Sequence, residues 1–396
     1  MTWAPAPDEA KLDLERLARL QRELKARDYA AGIFYDPTNI RYATGTSNMQ
    51  VYSLHNPCRY AFVPAEGGVV LFDFAGCEHL SVGKVAVAEV RPATTWYHFI
   101  VGDRVQEKAE EWADAIAELV RACGGGDRRV AVDRLDPPGL WALEQRGIRV
   151  GDGQEVANHA RKIKTAEELV AVRAAVATCE LGMRRMREVM RPGMTEQALW
   201  SHLHQANIEH GGEWIETRLL TSGPRTNPWY QECSDRPIEV GDVVSFDTDL
   251  IGAHGYSADI SRTWIAGDGR ASDEQRRLYA AAYEQVARNI ELFRPGSSFA
   301  SIAERGWQLP ERYREQTNSA LAHGIGLCNE YPLIVNAHLW DGGGIQGCVE
   351  PGMVLCVESY AGERGGREGV KLEQQILVTE EGPEILSTFP LEDELL

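Results

Sequence analysis

Two carboxylates interrupt an apolar segment of the chain. In the segment 243–251, which has the apolar density of a central strand, Asp247 and Asp249 stand at positions i and i+2. Because successive side chains of a strand alternate between its two faces, this spacing predicts that both acids lie on one face. Two buried anions so close together repel each other and lose their hydration, so the pair requires a strong cation.

A third acid follows a tight turn. Gly252–Gly255 predicts a reversal of the chain, and the segment after it carries Asp259 back alongside the first two acids. For any one of these acids, an exposed position in a hairpin is the simpler interpretation. The three acids together indicate a cation site.

Three further residues of metal-ligating type occur downstream in apolar surroundings. His323 lies in the glycine-rich stretch LAHGIGL, Glu358 in the apolar stretch VLCVES, and Glu373 in VKLEQQILV. Taken singly, His323 is typical of a core histidine and Glu373 of an exposed strand residue. As an ordered set with the aspartates, the acids and the imidazole predict a metal centre.

The elements that position these residues fall into two predicted domains, 1–158 and 159–396. The first domain alternates apolar strands with helices, which is typical of an α/β domain. Its predicted elements are a helix with Leu12, Leu14, Leu17, Leu20 and Leu24 on one face, strands at 30–34, 60–63, 69–72 and 129–132, and a helix at 105–123.

The second predicted domain contains an internal echo. Thr165–Glu168 and Ser272–Gln275 are capping boxes that begin long helices. Both helices run into a segment that begins Arg-Pro-Gly, at Arg191 and at Arg294, and a new helical pattern follows each segment. The repetition predicts two related α+β halves.

The composition excludes several classes of function. The 396 residues carry 41 Lys and Arg against 59 Asp and Glu, a net charge of −18, with no basic stripe. Such a surface repels phosphate backbones and anionic lipids, so we expect neither nucleic acid nor a membrane as a partner. The start of the chain has no signal-peptide pattern and the eight cysteines are scattered, which predicts a cytoplasmic protein with reduced thiols.

The ordered set of site residues resembles the five ligands of the pita-bread metallopeptidase family, which includes prolidase, aminopeptidase P and creatinase. The stretches GYSADISRT and HGIGL strengthen the likeness. The resemblance implies a creatinase/prolidase-type α/β domain at 1–158 and an α+β pita-bread domain with pseudo-two-fold halves at 159–396. It also implies a homodimer and two transition-metal ions. The corresponding ligands are Asp247, Asp259, His323, Glu358 and Glu373.

The sequence departs from the peptidases of this family in three places. Trp229 in SGPRTNPW stands where the peptidases place a histidine, and the stretch CNEYP lacks a second one. Asp249 adds a sixth ligand. Five carboxylates contribute −5 against +4 from two divalent ions, and this excess favours a more highly charged iron, or a weaker Lewis acid than a peptidase needs. Manganese, zinc and cobalt are the alternatives to iron.

One branch of the family is more similar: the dimethylsulfoniopropionate lyases of the pita-bread type. The likeness lies in GGEWIETRLL, SGPRTNPW, FDTDLIG and NMQVYSLHNP. It implies iron-dependent β-elimination from a small zwitterionic carboxylate, whose onium group aromatic rings can hold. The residues that we expect to bind the substrate are Tyr52, His55, Trp229 and Tyr230, and Trp96 and Tyr97 are further aromatic candidates.

The expected proton acceptor of that branch is missing. The lyases carry an aspartate where this chain has Asn329, and an amide does not accept a proton usefully at neutral pH. Glu330 or a metal-bound hydroxide is then the alternative base, unless the substrate differs. A tyrosine expected shortly before His323 is also absent.

Three other functions stay open from the sequence. An Xaa-Pro dipeptidase or aminopeptidase agrees with the five ligands but not with Trp229. A creatinase-like hydrolase would have eroded ligands, and none is eroded here. A non-catalytic metal-binding homologue agrees with Asn329 but leaves the buried acids without a purpose.

Overall fold

The computed structural model describes residues 5–123 and 129–396. It contains two compact units, an N-terminal unit at Pro7–Arg161 and a C-terminal unit that contains Lys162–Leu396. The stretch GGGD at 124–127, which follows the predicted helix at 105–123, lies outside the described residues. Among the described helices, none combines the length and the apolar character that a membrane crossing requires.

The N-terminal unit is built on a six-stranded sheet in the order β4-β3-β2-β1-β5-β6, in which β1 pairs antiparallel with β2 and parallel with β5. Its strands are β1 (Ala31–Phe34), β2 (Tyr60–Pro64), β3 (Val69–Asp73), β4 (Val87–Pro92), β5 (Arg129–Val132) and β6 (Arg149–Asp152). Its helices are α1 (Glu9–Ala26), α2 (Pro37–Thr44), α3 (Gln50–His55), α4 (His98–Val101), α5 (Val105–Ala122), α6 (Pro137–Gln145) and α7 (Gly153–Arg161).

Helix α1 illustrates why these residues form these elements. Asp8 caps its first turn by accepting from the backbone N–H of Lys11 at 3.1 Å. Leu20 and Leu24 are buried as the spacing predicts, but Leu14 is 51% exposed. A residue two positions after Leu12 is turned by about 200° around a helix, so Leu14 belongs to the opposite face and its predicted place in the stripe is wrong.

The C-terminal unit contains three sheets. Their strand orders are β11-β8-β7, β10-β9 and β13-β12-β14-β15-β16. The strands are β7 (Leu220–Ser222), β8 (Val243–Phe246), β9 (Leu250–Ile251), β10 (Ser257–Ala258), β11 (Arg262–Ile265), β12 (Ala320–Ile325), β13 (Asn329–Val335), β14 (Val354–Gly362), β15 (Gly369–Thr379) and β16 (Gly382–Ile385). The helices are α8 (Ala166–Val189), α9 (Glu196–Glu209), α10 (Asp273–Ile290), α11 (Phe299–Arg305), α12 (Glu311–Arg314) and α13 (Trp340–Gly343).

The two halves predicted from the echo are present in this unit. Both capping boxes form, at the starts of α8 and α10. In the first half, the N–H of Gly193 donates to the carbonyl of Ile238 at 2.8 Å, and in the second half Gly296 donates to Val349 at 2.8 Å. Both glycines have a positive φ, as the turn after each long helix requires.

The five-stranded sheet separates an apolar core from a polar face. Leu355, Val357 and Leu372 pack with residues of α10 in one continuous core. Because side chains alternate along a strand, the residues next to these core residues on β14 and β15 point to the opposite face. Glu358 and Glu373 lie on that face.

Candidate metal centre

Asp247 and Asp249 follow the end of a strand rather than lying within one. Strand β8 ends at Phe246, and Asp249 has a φ of 34°, in the left-handed region, before β9 begins at Leu250. The predicted alternation of the two acids along one strand is therefore wrong. The left-handed turn nevertheless brings them together, since carboxylate oxygens of Asp247, Asp249 and Asp259 all lie within 4.8 Å of one another.

The hairpin predicted at Gly252–Gly255 is confirmed, and it accounts for the position of Asp259. Strand β10 pairs antiparallel with β9, with Ser257 opposite Ile251. The chain leaves β10 at Ala258, so Asp259 emerges beside the first two acids.

The second set of ligand-type residues comes from neighbouring strands of the five-stranded sheet. Glu358 on β14 lies directly opposite Glu373 on β15. Nε2 of His323 on β12 lies 3.3 Å from Oε1 of Glu373, 4.0 Å from Oε1 of Glu358 and 3.7 Å from Oδ2 of Asp259. All six residues predicted as metal ligands therefore converge, and we call the five carboxylates among them the acid cluster.

Cys356 is a donor that the sequence reasoning missed. It lies opposite His323 in the sheet. Its Sγ belongs to a group of donor atoms, with those of Asp259, His323 and Glu373, that lie within 4.8 Å of one another. Asp259 belongs both to this group and to the group with Asp247, so the arrangement has two donor groups that share one carboxylate.

A lysine inside the acid cluster was also missed. Nζ of Lys371, on β15, lies 2.5 Å from Oε2 of Glu373, 2.9 Å from Oε2 of Glu358 and 3.1 Å from Oδ2 of Asp247. Its side chain is 1% exposed. Lys371 precedes Glu373 by two residues on the same strand, so the alternation that placed Glu373 at the site could have placed the lysine there too.

Neutral side chains orient the carboxylates. Ser261 donates to Oδ1 of Asp247 at 2.7 Å and accepts from Nζ of Lys371 at 3.0 Å. Thr217 donates to Oδ2 of Asp249 at 2.7 Å. Asn318 donates to Oε2 of Glu358.

Electrostatic effects on the acid cluster are large. Burial and repulsion from Asp247 raise the pKa of Asp249 to about 6. Burial raises the pKa of Glu373 to about 7 despite the attraction of Lys371, and burial with repulsion from Asp249 raises the pKa of Asp259 well above its usual range. Burial by itself would also raise the pKa of Asp247, but Lys371 and hydrogen bonds lower it to about 2.

His323 responds to the same anions. Burial alone would lower its pKa, but the contact with Glu373 and the charge of Glu358 raise that pKa to about 9. In the absence of a metal ion, the imidazole is therefore protonated at neutral pH. A metal ion that bound to the imidazole of His323 would displace this proton.

Two buried oxygens test whether this site suits metal ions. Oδ1 of Asp259 and Oε1 of Glu373 are buried, and neither accepts a hydrogen bond of good geometry among the described residues. Oε1 of Glu373 faces Nε2 of His323 at 3.3 Å. Buried carboxylate oxygens without donors are costly, and coordination of a cation would satisfy them. The residues therefore fit a metal centre.

Lys371 also changes the charge sum made from the sequence. The acid cluster contributes −5, the lysine +1 and two divalent ions +4, so the total is −5 + 1 + 4 = 0. The negative charge is therefore not in excess, and it gives no preference for iron. The sum is balanced for two divalent ions of any transition metal.

The structure gives Trp229 and Tyr230 different surroundings. Trp229 is 6% exposed and stacks on Tyr360 with ring centroids 5.7 Å apart, so its ring is part of the packing. Tyr230 is 66% exposed, and Glu358 is among the charges that act on its phenol. Of these two aromatic residues, Tyr230 has the ring that is open to a ligand.

Asn329 and Glu330 begin strand β13 and differ in exposure. The side chain of Asn329 is exposed. The carboxylate of Glu330 is buried and accepts from Nζ of Lys164, and the two side chains are 0% and 1% exposed. A role of Glu330 as a base would require this ion pair to open.

The other predicted substrate-binding residues lie in the N-terminal unit. Tyr52 and His55 are both exposed on α3, and the ring of Tyr52 lies 6.2 Å from that of Phe74. Trp96 is buried, and its indole N–H donates to Asp136 at 2.5 Å, which makes it a core residue.

Comparison with known families agrees with this geometry. The model of metallopeptidase family M24 matches residues 170–380, and that of the creatinase/prolidase N-terminal domain matches residues 16–163. The chain belongs to metallopeptidase family M24. Membership implies a dinuclear transition-metal site, which the two donor groups fit.

Individual relatives and a solved structure are similar to this chain over almost its whole length. The chain is 40% identical to dimethylsulfoniopropionate lyase DddP of Roseovarius nubinhibens, over 100% of this chain and 90% of that protein. It is 39% identical to DddP of Roseobacter denitrificans, over 98% and 88%. A solved Xaa-Pro dipeptidase from Bacillus anthracis superposes with a TM-score of 0.76 at 21% identity, covering 96% of this chain and 99% of that one. These matches confirm the predicted family and fold.

Proposed function

We propose that this protein is a metal-dependent lyase that cleaves dimethylsulfoniopropionate, or a close analogue, into dimethyl sulfide and acrylate by β-elimination. Two relatives named for this activity are 40% and 39% identical over almost the whole chain. The observation that carries the proposal is the acid cluster with Asp249 in it, together with the packed tryptophan that position 229 holds instead of the peptidase histidine.

Two donor groups would hold the metal ions. One consists of Asp247, Asp249 and Asp259, and the other of Asp259, His323, Cys356 and Glu373, which Glu358 adjoins with its Oε1 4.0 Å from Nε2 of His323. When bound, two transition-metal ions supply Lewis acidity that draws the substrate carboxylate in and acidifies its α-hydrogen. We propose iron from the resemblance, with manganese, zinc and cobalt as alternatives.

Tyr230 has the chemistry to bind the other end of the substrate. A sulfonium cation is attracted to the face of an aromatic ring, and the attraction grows where water is excluded. The exposed ring of Tyr230 lies within the electrostatic influence of Glu358 and Glu373. We infer that it holds the sulfonium group while the carboxylate lies at the acid cluster.

Elimination needs a proton acceptor next to the α-carbon. As the acceptor takes the proton, the C–H electrons form the double bond and the C–S bond breaks with its electron pair on sulfur. Glu330 is the carboxylate adjacent to Asn329, and we propose it as the acceptor after release from Lys164. Glu330→Gln then abolishes elimination with the metal content unchanged, and retained activity would reject this assignment.

The experiment that tests the function starts with the purified protein. Metal analysis is expected to give two transition-metal ions per chain, and gas-phase detection is expected to find dimethyl sulfide released from dimethylsulfoniopropionate. Cleavage of Gly-Pro or Ala-Pro is measured beside it. Peptide cleavage without dimethyl sulfide would replace the proposal with a peptidase, and a protein without metal would remove both.

Asn329→Asp supplies a second, sharper test. Restoring a carboxylate at this exposed position provides a general base, a group that typically contributes about 100-fold or more to a rate. We expect elimination to become at least about tenfold faster. Asn329→Gln, which keeps the amide, is the matched control. A rate that stays the same or falls in the aspartate variant would mean that this position does not mark the base.

We also propose a homodimer. Met49, Val51 and Leu54 expose apolar surface in and next to α3, as does Tyr52. An apolar surface that is otherwise in water is typical of an interface. Light scattering that gives the mass of one chain would contradict the dimer.

A further inference from the structure

Lys371 contacts three of the five carboxylates of the acid cluster. Its ammonium lies against the Oδ2 or Oε2 atoms of Asp247, Glu358 and Glu373, at 3.1, 2.9 and 2.5 Å. The oxygens without hydrogen-bond donors, Oδ1 of Asp259 and Oε1 of Glu373, are different atoms. Lys371 therefore adds a positive charge to the cluster and leaves Oδ1 of Asp259 and Oε1 of Glu373 available to a cation.

The charge of Lys371 decides which cations make the site neutral. With the lysine, two divalent ions balance the five carboxylates. Without it, the same ions leave −1, and one divalent with one trivalent ion gives zero instead. A buried net charge is unfavourable, so the neutral combination is preferred.

We propose that Lys371 selects the charge of the bound cations, favouring a pair of divalent ions over a pair that includes a trivalent ion. The proposal rests on the dinuclear site of the proposed function and adds a property to it. Lys371 acts through the carboxylates that would bind the ions, so it is a positioning residue and not a ligand. If the metal is iron, Lys371 keeps it in the ferrous state.

The test compares two charge variants of the iron-loaded protein. Lys371→Met removes the charge and keeps the length of the side chain, whereas Lys371→Arg keeps the charge. The midpoint potential of the Fe(III)/Fe(II) couple is measured by spectroelectrochemical titration. We expect Lys371→Met to favour Fe(III) at least tenfold more than the wild type does, which lowers the potential by about 59 mV. Lys371→Arg is expected to shift it by less than half of that.

Redox-silent ions provide a second readout that is independent of activity. The ratio of the Ga(III) affinity to the Zn(II) affinity is measured with metal-free protein. We expect this ratio to rise at least tenfold in Lys371→Met. In the double variant Lys371→Met with Asp249→Asn, one charge of each sign is lost, so the ratio returns to the wild-type value. A role of Lys371 in packing alone would not produce this rescue.

Lys371→Gln, which is also neutral but can still donate hydrogen bonds to the carboxylates, keeps the proposal testable if Lys371→Met does not fold, and the Ga(III)/Zn(II) ratio is expected to rise at least tenfold in it too. Asp249→Asn, which removes one negative charge, is expected to move this ratio the other way, at least tenfold below the wild type. An unchanged ratio and potential in a neutral Lys371 variant that binds two ions overturns the proposal. Wild-type protein that binds no metal ions would instead overturn the proposed function, so the two failures are distinguishable.

Discussion

Two buried acid sites in the C-terminal unit show how different a structural carboxylate is from a functional one. Glu196, in the first turn of α9, is fully buried, yet donors surround it. Its Oε1 accepts from the N–H and the hydroxyl of Ser222, both at 2.8 Å, and its Oε2 accepts from the N–H of Ser234 at 2.9 Å and from Arg225. This carboxylate ties three segments together and needs no further partner.

The acid cluster has the opposite balance. It holds five carboxylates, and two of their buried oxygens, on Asp259 and Glu373, accept no hydrogen bond of good geometry among the described residues. The pKa values of Asp259 and Glu373, which carry those oxygens, are both raised. Burial is common to both sites, so burial does not identify function. The number of hydrogen-bond donors around a buried carboxylate distinguishes one that stabilises the fold from one that is suited to bind a cation.

The largest expected effect is at the shared ligand. Asp259→Asn removes a charge from both donor groups. We expect metal affinity to fall by more than the roughly 100-fold that is typical when a residue supporting a ligand is lost, and elimination to fall in parallel. Metal content by mass spectrometry checks this. If the variant retained two ions, the acid cluster would be no more dependent on its carboxylates for metal binding than Glu196 is.

Glu196→Gln tests whether Glu196 stabilises the fold without supporting the metal centre. The amide keeps the shape but cannot accept from all the donors around it, and Arg225 loses its counter-ion. We expect the free energy of unfolding to fall by about 2–3 kcal/mol. Urea denaturation of the metal-loaded protein measures this change. Metal content is expected to stay at the wild-type value, and a loss of metal would show that Glu196 also supports the centre.

The metal-free protein has a characteristic dependence on pH. Glu373 has a pKa raised to about 7 and His323 a pKa raised to about 9, both above their usual values. A raised pKa contributes stability that is complete below the unfolded value and is lost as pH rises through the folded value. Between pH 4.5 and pH 9 the melting temperature should fall by at least about 2–4 °C, the shift produced by roughly 1 kcal/mol.

The metal-loaded protein is the control for that titration. Ions replace the protons, so loading should reduce the fall in melting temperature between pH 4.5 and pH 9, and binding at pH 7 should release protons. Calorimetry in buffers of different ionisation enthalpy measures the release. A metal-free protein that is more stable at pH 9 than at pH 5 would contradict the protonation states inferred for the cluster.

The smallest expected effect is at a supporting hydroxyl. Thr217→Val removes the hydrogen bond to Asp249. We expect the affinity for one of the two ions to fall about tenfold, the lower end of what such supporting residues contribute. Thr221→Val is the matched control, since the buried hydroxyl of Thr221 makes no hydrogen bond among the described residues. Equal losses in both variants would assign the effect to packing.

The sequence predicts the ligands because an acid in an apolar strand is unusual. Glu358 and Glu373 stand out for this reason, and the alternation of side chains puts them on the polar face of the sheet. The left-handed conformation of Asp249 could not be predicted. Aspartate adopts it more often than most residues do, but Asp247 is an equal candidate and the apolar segment around both reads as one continuous strand.

Lys371 and Glu196 were missed for different reasons. A lysine in a strand normally indicates an exposed position, although the spacing to Glu373 was a usable signal. Glu196 follows a helix cap and looks like an ordinary acid of a first turn, because its donors come from distant segments. Trp229 gives no sign in the sequence of whether it packs or binds, since that depends on Tyr360 behind it.

The duplicated halves give the centre a mechanical role. Asp247, Asp249 and Asp259 come from the first half, whereas His323, Glu358 and Glu373 come from the second. Cations shared between these groups would act as a cross-link between repeats that the polypeptide joins only once, ahead of α10. The chemistry of the site and the rigidity of the scaffold would then be gained, or lost, in the same event.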